Sequence, residues 1–189
     1  MRSLPISRRA LLAAGGLVLA GPLVRRVAAA DVATIHMVSD TLGTVVGFDP
    51  IGLHVRPGTT VRWVVQSNVH TTAAYHPRNG KHSLRIPSDA QPWDSGYLVN
   101  PGNHFEVKLT VEGVYDYYCL PHESAGMVGR IVVGKPGGPG TLPFDYFKNQ
   151  PDAKDWQPVP EAAQAAFPAV ADILRLGKVP LAGGHAMKH

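Results

Sequence analysis

The chain predicts an all-β domain, a β-sandwich of about seven or eight short strands, followed by a C-terminal extension with one short helix. Three features lead there. The 189 residues include 20 Gly and 17 Pro, a turn-rich composition, and 44% are hydrophobic, enough for a packed core. Between residues 31 and 134, short runs of β-branched and aromatic residues recur, bounded by Gly, Pro, Asn or Asp. Within several of these runs apolar and polar residues alternate, the period of a strand with one buried face.

Val32 to Val38, Val45 to Phe48 and Leu53 to Val55 read as the first three strands. The turn Arg56-Pro57-Gly58-Thr59 leads into a strand on which Val61, Trp63 and Val65 share a face. It runs on into Asn68-Val69-His70, which puts His70 at or just beyond a strand end. Residues 76–101 form a long excursion, because proline at 77, 87, 92 and 101 excludes a central strand through most of it. A turn or short helix is expected near Ser88 to Asp94, with Trp93 covering the domain. Asn100-Pro101-Gly102-Asn103 turns the chain into a strand with Phe105, Val107 and Leu109 on one side. Glu112-Gly113 turns it again, Val114 to Cys119 follows, and Arg130 to Val133 closes the sheet. Past Gly134 the composition shifts to KPGGPGTLPFDYFKN, a Pro/Gly linker with aromatic residues. Pro168 to Gly177 reads as a short helix that starts on proline and stops on glycine, with Val170, Ile173 and Leu174 on one face.

The formal charge of +4 is unevenly spread. Arg2, Arg8, Arg9, Arg25 and Arg26 fall in the first thirty residues, where there is no acid; of the 18 basic residues this leaves 13 against 14 acidic ones. The remainder is near neutral and carries no basic stripe interleaved with aromatics, so nucleic-acid binding is set aside. Residues 1–30 themselves read as an export signal. Ser7 to Leu12 is SRRALL, an apolar run from Leu11 to Val24 follows, and Ala28, Ala29 and Ala30 close it. The run is too short to span a bilayer, and the arginine pair resembles the twin-arginine signal. Cleavage is expected near Ala30, delivering the protein to the periplasm or beyond, peripheral to a membrane at most. The predicted organisation is therefore an export signal over 1–30, a β domain over 31–134, and a linker, short helix and flexible tail over 135–189.

The chemistry concentrates in Tyr117 to Gly129, YYCLPHESAGMVG. Cys119, His122 and Met127 stand there in the pattern C-x2-H-x4-M. A lone Cys is ordinarily a small buried hydrophobe and Met an ordinary filler of core gaps. On one turn between two strands, however, a thiolate, an imidazole and a thioether make a soft donor set. Two histidines and a cysteine with a weak axial Met are the arrangement of electron-transfer copper sites. The second histidine must come from elsewhere, and His70 is the candidate. One cysteine excludes a disulfide within the chain, so in an exported protein it is a reactive thiol, an intermolecular partner or a metal ligand.

Over residues 31–134 the chain resembles the cupredoxins, in particular their plastocyanin and pseudoazurin branch. The likeness is most specific from Pro101 to Gly134, where PGNHFEVKL, GVYDYYC, the C-x2-H-x4-M loop and GRIVV follow in the family's order. The resemblance implies a Greek-key sandwich, one type 1 copper ion, and His70, Cys119, His122 and Met127 as its ligands. It implies a carrier of single electrons between redox proteins, not an enzyme, monomeric and docking transiently near His122. The apolar ring expected there is Leu120, Pro121, Ala125 and Gly126. One position departs from the family: the residue after the first ligand histidine is commonly Asn, which ties the two ligand loops, and here it is Thr71, whose hydroxyl can make fewer bonds. Asn68 is a possible substitute.

The rival function is a periplasmic copper chaperone or store, with labile, exposed ligands. A copper enzyme would need further metal sites, a binuclear centre a second cysteine, and a Cys-His hydrolase a base and an orienting group. Of the other histidines, His36, His54 and His104 are expected at the surface of strands. His76 and His82 flank a turn, a weak candidate for a second metal site, and His185, Met187 and His189 are expected in an exposed tail.

Overall fold

The computed structural model describes residues 31–183 apart from 41 and 43. The export signal expected over 1–30 and the tail histidines and methionine lie outside the described residues. Within them the strands run β1 (Val32–Ser39), β2 (Val46–Asp49), β3 (Gly52–Val55), β4 (Thr59–Val65), β5 (Ala73–Ala74), β6 (His104–Leu109), β7 (Gly113–Tyr118), β8 (Val128–Val133) and β9 (Lys178–Val179). Two short helices, α1 (Glu161–Ala166) and α2 (Val170–Leu176), lie between β8 and β9.

The strands form two sheets, one ordered β2-β1-β4-β6 and the other β5-β7-β8-β3-β9. The chain leaves the first sheet after β2, adds β3 to the second, and returns as β4. β4 therefore lies parallel to β1, and β8 lies parallel to β3. This is the all-β sandwich that the strand pattern predicts. Alternation of burial along β1 and β4 places Ile35, Met37, Val61, Trp63 and Val65 between the sheets. The interior is strongly aromatic: Trp63 packs on Trp93 and Tyr117 at 5.3 Å, and Phe48 on Tyr117 at 4.7 Å between ring centroids. Trp93 thus enters the core rather than merely covering it, and residues 88–94 make a turn, not a helix.

β7 and β8 are buried along their whole length on both faces. Their inward residues, Tyr115, Tyr117, Ile131 and Val133, join the main core. Their outward residues are covered by the C-terminal extension. Tyr118 and Val128 meet Val159 and Ala163, and Val114 and Val132 meet Ile173. Residues 135–183 are therefore a packed third layer on one sheet. The helix expected from Pro168 begins at Val170, since Ala169 is still extended, and ends at Gly177 as expected. Ile173 is buried, whereas Leu174, expected on the same face, is exposed.

Candidate metal centre

The β7–β8 hairpin holds the C-x2-H-x4-M segment as its connection, with Tyr118 and Val128 as the last cross-strand pair. Cys119 is still extended, and Pro121 then helps to start a 3-10 turn over Leu120–Ala125. Gly126, at φ +85°, closes it in a left-handed conformation that glycine alone adopts freely. Gly126 N–H donates to Glu123 O, Met127 N–H to His122 O, and Cys119 N–H to Met127 O. The loop is thus tied to itself at both ends.

His70 comes from the other side. It pairs with Leu98 through reciprocal backbone hydrogen bonds, and three residues later β5 pairs with the end of β7. This brings His70, Cys119 and His122 together, with one ligating atom of each within 4.8 Å of the others. Cys119 Sγ is 3.7 Å from His70 Nδ1 and 3.5 Å from His122 Nδ1. Metal–sulfur and metal–nitrogen bonds of about 2.3 and 2.0 Å, at trigonal to tetrahedral angles, set these donors about 3.5–3.8 Å apart. The donor set therefore fits a bound ion in size as well as in chemistry. Met127 is fully buried and lies in the same core cluster as Cys119.

The surroundings fix the protonation of each donor. His70 is fully buried, and its Nε2 lies 3.1 Å from Ser39 Oγ. Donation from Nε2 leaves the Nδ1 lone pair facing the sulfur. Burial, assisted by neighbouring His122, lowers the pKa of His70 to about 4, which keeps the ring neutral. Burial likewise lowers His122. It raises the Cys119 thiol, although hydrogen bonds from Thr71 and the backbone of His122 oppose the rise. The donors are thus neutral imidazoles and a thiol, and the thiol would give up its proton on metal binding.

Thr71 makes the tie that its substitution for Asn put in question. Its N–H donates to Cys119 Sγ at 3.3 Å, and its hydroxyl accepts from Leu120 N–H at 2.7 Å. Thr72 extends the bracing, its hydroxyl accepting from Trp93 Nε1 at 3.1 Å. A second set of residues around the loop carries no local signal in the sequence: Glu123 reaches Tyr75 and His82, which lie 48 and 41 positions away. Burial pulls the His82 pKa down, but its bonds to Glu123 and Asn79 and the charge of Glu123 outweigh this and raise it. The remaining histidines among the described residues lie outside this arrangement. His54 and His104 are exposed, and His36 shares a hydrogen bond with Gln66 at the surface. His76 Nδ1 accepts from Arg78 N–H.

Residues 35–134 match the family described as copper binding proteins, plastocyanin/azurin family. This chain belongs to that family. Among curated relatives, the chloroplast plastocyanin of Chlamydomonas reinhardtii is 36% identical over 96 residues, 46% of this chain and 57% of its own length. The pseudoazurin of Methylorubrum extorquens is 30% identical over 127 residues, 67% of this chain and 77% of its own length. A solved Sinorhizobium pseudoazurin superposes with a TM-score of 0.51 at 26% identity, covering 78% of this chain and 98% of that one. The cupredoxin sandwich and the copper-binding character of the site are therefore shared with these proteins. Family membership and the donor set together make copper its cofactor.

Proposed function

We propose that this cupredoxin is an exported one-electron carrier, with His70, Cys119 and His122 holding one type 1 copper ion and Met127 as its axial contact. The observation that carries the reading is a soft donor set closed on three sides and open on one. His70, Cys119 and Met127 are fully buried, while His122 is only half-buried. Copper, when bound, supplies the one-electron couple. The protein's part is to keep the donors where they are in both oxidation states, to exclude water, and to present the edge of His122 to a partner.

Around that edge Leu120, Pro121 and Ala125 are exposed, and Leu120 keeps 52% of its surface. An uncharged, weakly apolar rim suits brief docking by another redox protein, since transient redox contacts are small. Export through the twin-arginine route to the periplasm follows from SRRALL and the apolar run behind it. No helix among the described residues is long and apolar enough to cross a membrane. A chaperone or store is disfavoured by the burial of three of the four proposed ligands, because rapid metal hand-over needs ligands within reach.

Visible absorption after addition of Cu(II) to the purified protein tests the reading. The expected result is an intense thiolate-to-copper band at one copper per chain, abolished in Cys119→Ser. A colourless complex at full loading rejects the carrier and favours the chaperone or store.

A further inference from the structure

Glu123 follows a proposed ligand directly, yet its side chain turns away from the donors and into the protein. Its side chain is only 13% exposed, and both of its oxygens are taken. Tyr75 hydroxyl donates to Oε1 at 2.7 Å, and His82 Nε2 lies 3.0 Å from Oε2. The other ring nitrogen of His82 lies 2.7 Å from the carbonyl oxygen of Asn79. Both ring nitrogens face acceptors, and only the imidazolium can donate from both. The contact is thus a charge-assisted ion pair, and such bonds are short and strong where water is excluded.

The holders are themselves held. The His82 ring stacks on Tyr118 at 4.4 Å between centroids, and Tyr118 directly precedes Cys119. Tyr75 packs against Tyr118 at 4.7 Å and Phe167 at 6.0 Å. The segment around His82 is bonded to the extension, with Gln157 N–H donating to Lys81 O at 2.7 Å and Ser83 N–H to Gln157 O at 3.0 Å. On the loop's other flank, a Cβ placed on Gly126 would stand 3.3 Å from Ala162 O of α1. Residues 76–83 and 135–167 grip the loop from two sides, and the side chain of Glu123 reaches into the grip.

We propose that Glu123, clamped by Tyr75 and His82, is a positioning residue for the metal loop, through which the excursion and the C-terminal extension set the placement of His122. The proposal rests on His122 being a copper ligand. It gives the extension a role at the metal without touching it. A ligand's orientation governs its metal's properties, and partners one bond removed from the ligands tune them.

The test uses the full chain and the variants Glu123→Gln, Tyr75→Phe and His82→Phe. In the copper-free protein, amide exchange at Gly126 and Met127 is expected to quicken about tenfold in Glu123→Gln, the scale of one lost charge-assisted bond. The β7–β8 ladder should keep its wild-type rate. His82→Phe should do the same, the double variant should add little beyond either, and Tyr75→Phe should act in the same direction but less. In the copper-loaded protein, the visible band and reduction potential should shift in Glu123→Gln. Unchanged loop exchange, or exchange that rises equally across the sheet, overturns the clamp, as does a wild-type band and potential in a loaded Glu123→Gln. A wild-type protein with no blue band would instead reject the carrier reading, while the copper-free exchange still decides the clamp.

Discussion

Thr71 lies between His70, its neighbour in the chain, and Cys119, whose sulfur accepts its N–H. Its hydroxyl is the acceptor for Leu120 N–H, so one residue serves both the sulfur and the backbone that follows it. Thr71→Val keeps the shape and removes the hydroxyl, both as that acceptor and as a neighbour of the Cys119 sulfur. Leaving a fully buried N–H unpaired costs about 1–3 kcal/mol, and this bond is only part-buried, so urea denaturation of the copper-free protein should show a loss toward the lower end of that range. An unchanged unfolding free energy would mean that Leu120 N–H has another partner. His70 gives a second prediction at this scale. Its pKa falls from the ordinary 6.5 to about 4 through burial and neighbouring His122. Between these values the unfolded chain binds more protons than the folded one, so this contribution to copper-free stability is complete above about 6.5 and is lost as pH falls toward 4. The urea midpoint should drop across that window, and His70→Asn should flatten part of the drop. A variant with the full wild-type slope would place the pH dependence elsewhere.

At the scale of elements, the cluster of candidate donors was legible and its supports were not. Cys119, His122 and Met127 lie within nine residues, and a hairpin turn between two strong strand signals has few ways to arrange them. His70 could be chosen because β4 runs toward it and a second imidazole was required. Glu123, Tyr75 and His82 meet only because the excursion folds back onto the loop, and no spacing in the sequence encodes that return. The extension was partly legible. GVYDYY and VGRIVV carry large or apolar residues at outward positions too, and strands of that kind are buried on both faces. Something had to cover Val114, Tyr118, Val128 and Val132, and residues 135–183 supply Val159, Ala163 and Ile173 for it. α1 escapes a helix-period reading because its six residues, EAAQAA, bury Ala163 alone. Its start on Glu161 just after Pro160 is the one local cue.

For the molecule as a whole, sandwich and extension are joined at a buried cluster of charge. Asp116 and Arg130 are cross-strand neighbours on the outward face of β7 and β8. Asp116 is fully buried and accepts from Arg130 Nε at 2.7 Å and from Arg85 Nε at 2.7 Å. Arg130 Nη2 also donates to Asp116 at 3.0 Å, and the remaining donors of both guanidinium groups reach the extension. Arg85 donates to the carbonyls of Gly140 and Leu142, and Arg130 to that of Pro168. Arg85 lies over the ring of Phe144 at 4.1 Å, and Arg130 over Phe167 at 4.8 Å. One carboxylate thus holds two cations in place, and the cations hold the third layer on the sheet. Asp116→Asn keeps the size of the side chain but leaves two buried guanidinium groups with no counter-charge, and breaking a buried pair in this way costs about 3–5 kcal/mol. The expected result is a loss of that order in the urea unfolding free energy. Faster proteolysis within residues 135–183 should accompany it, because the layer is released along with the charge that anchors it. A loss below about 1 kcal/mol, the worth of a surface pair, would show that the carbonyls and rings alone hold the arginines and that the extension stays docked without Asp116.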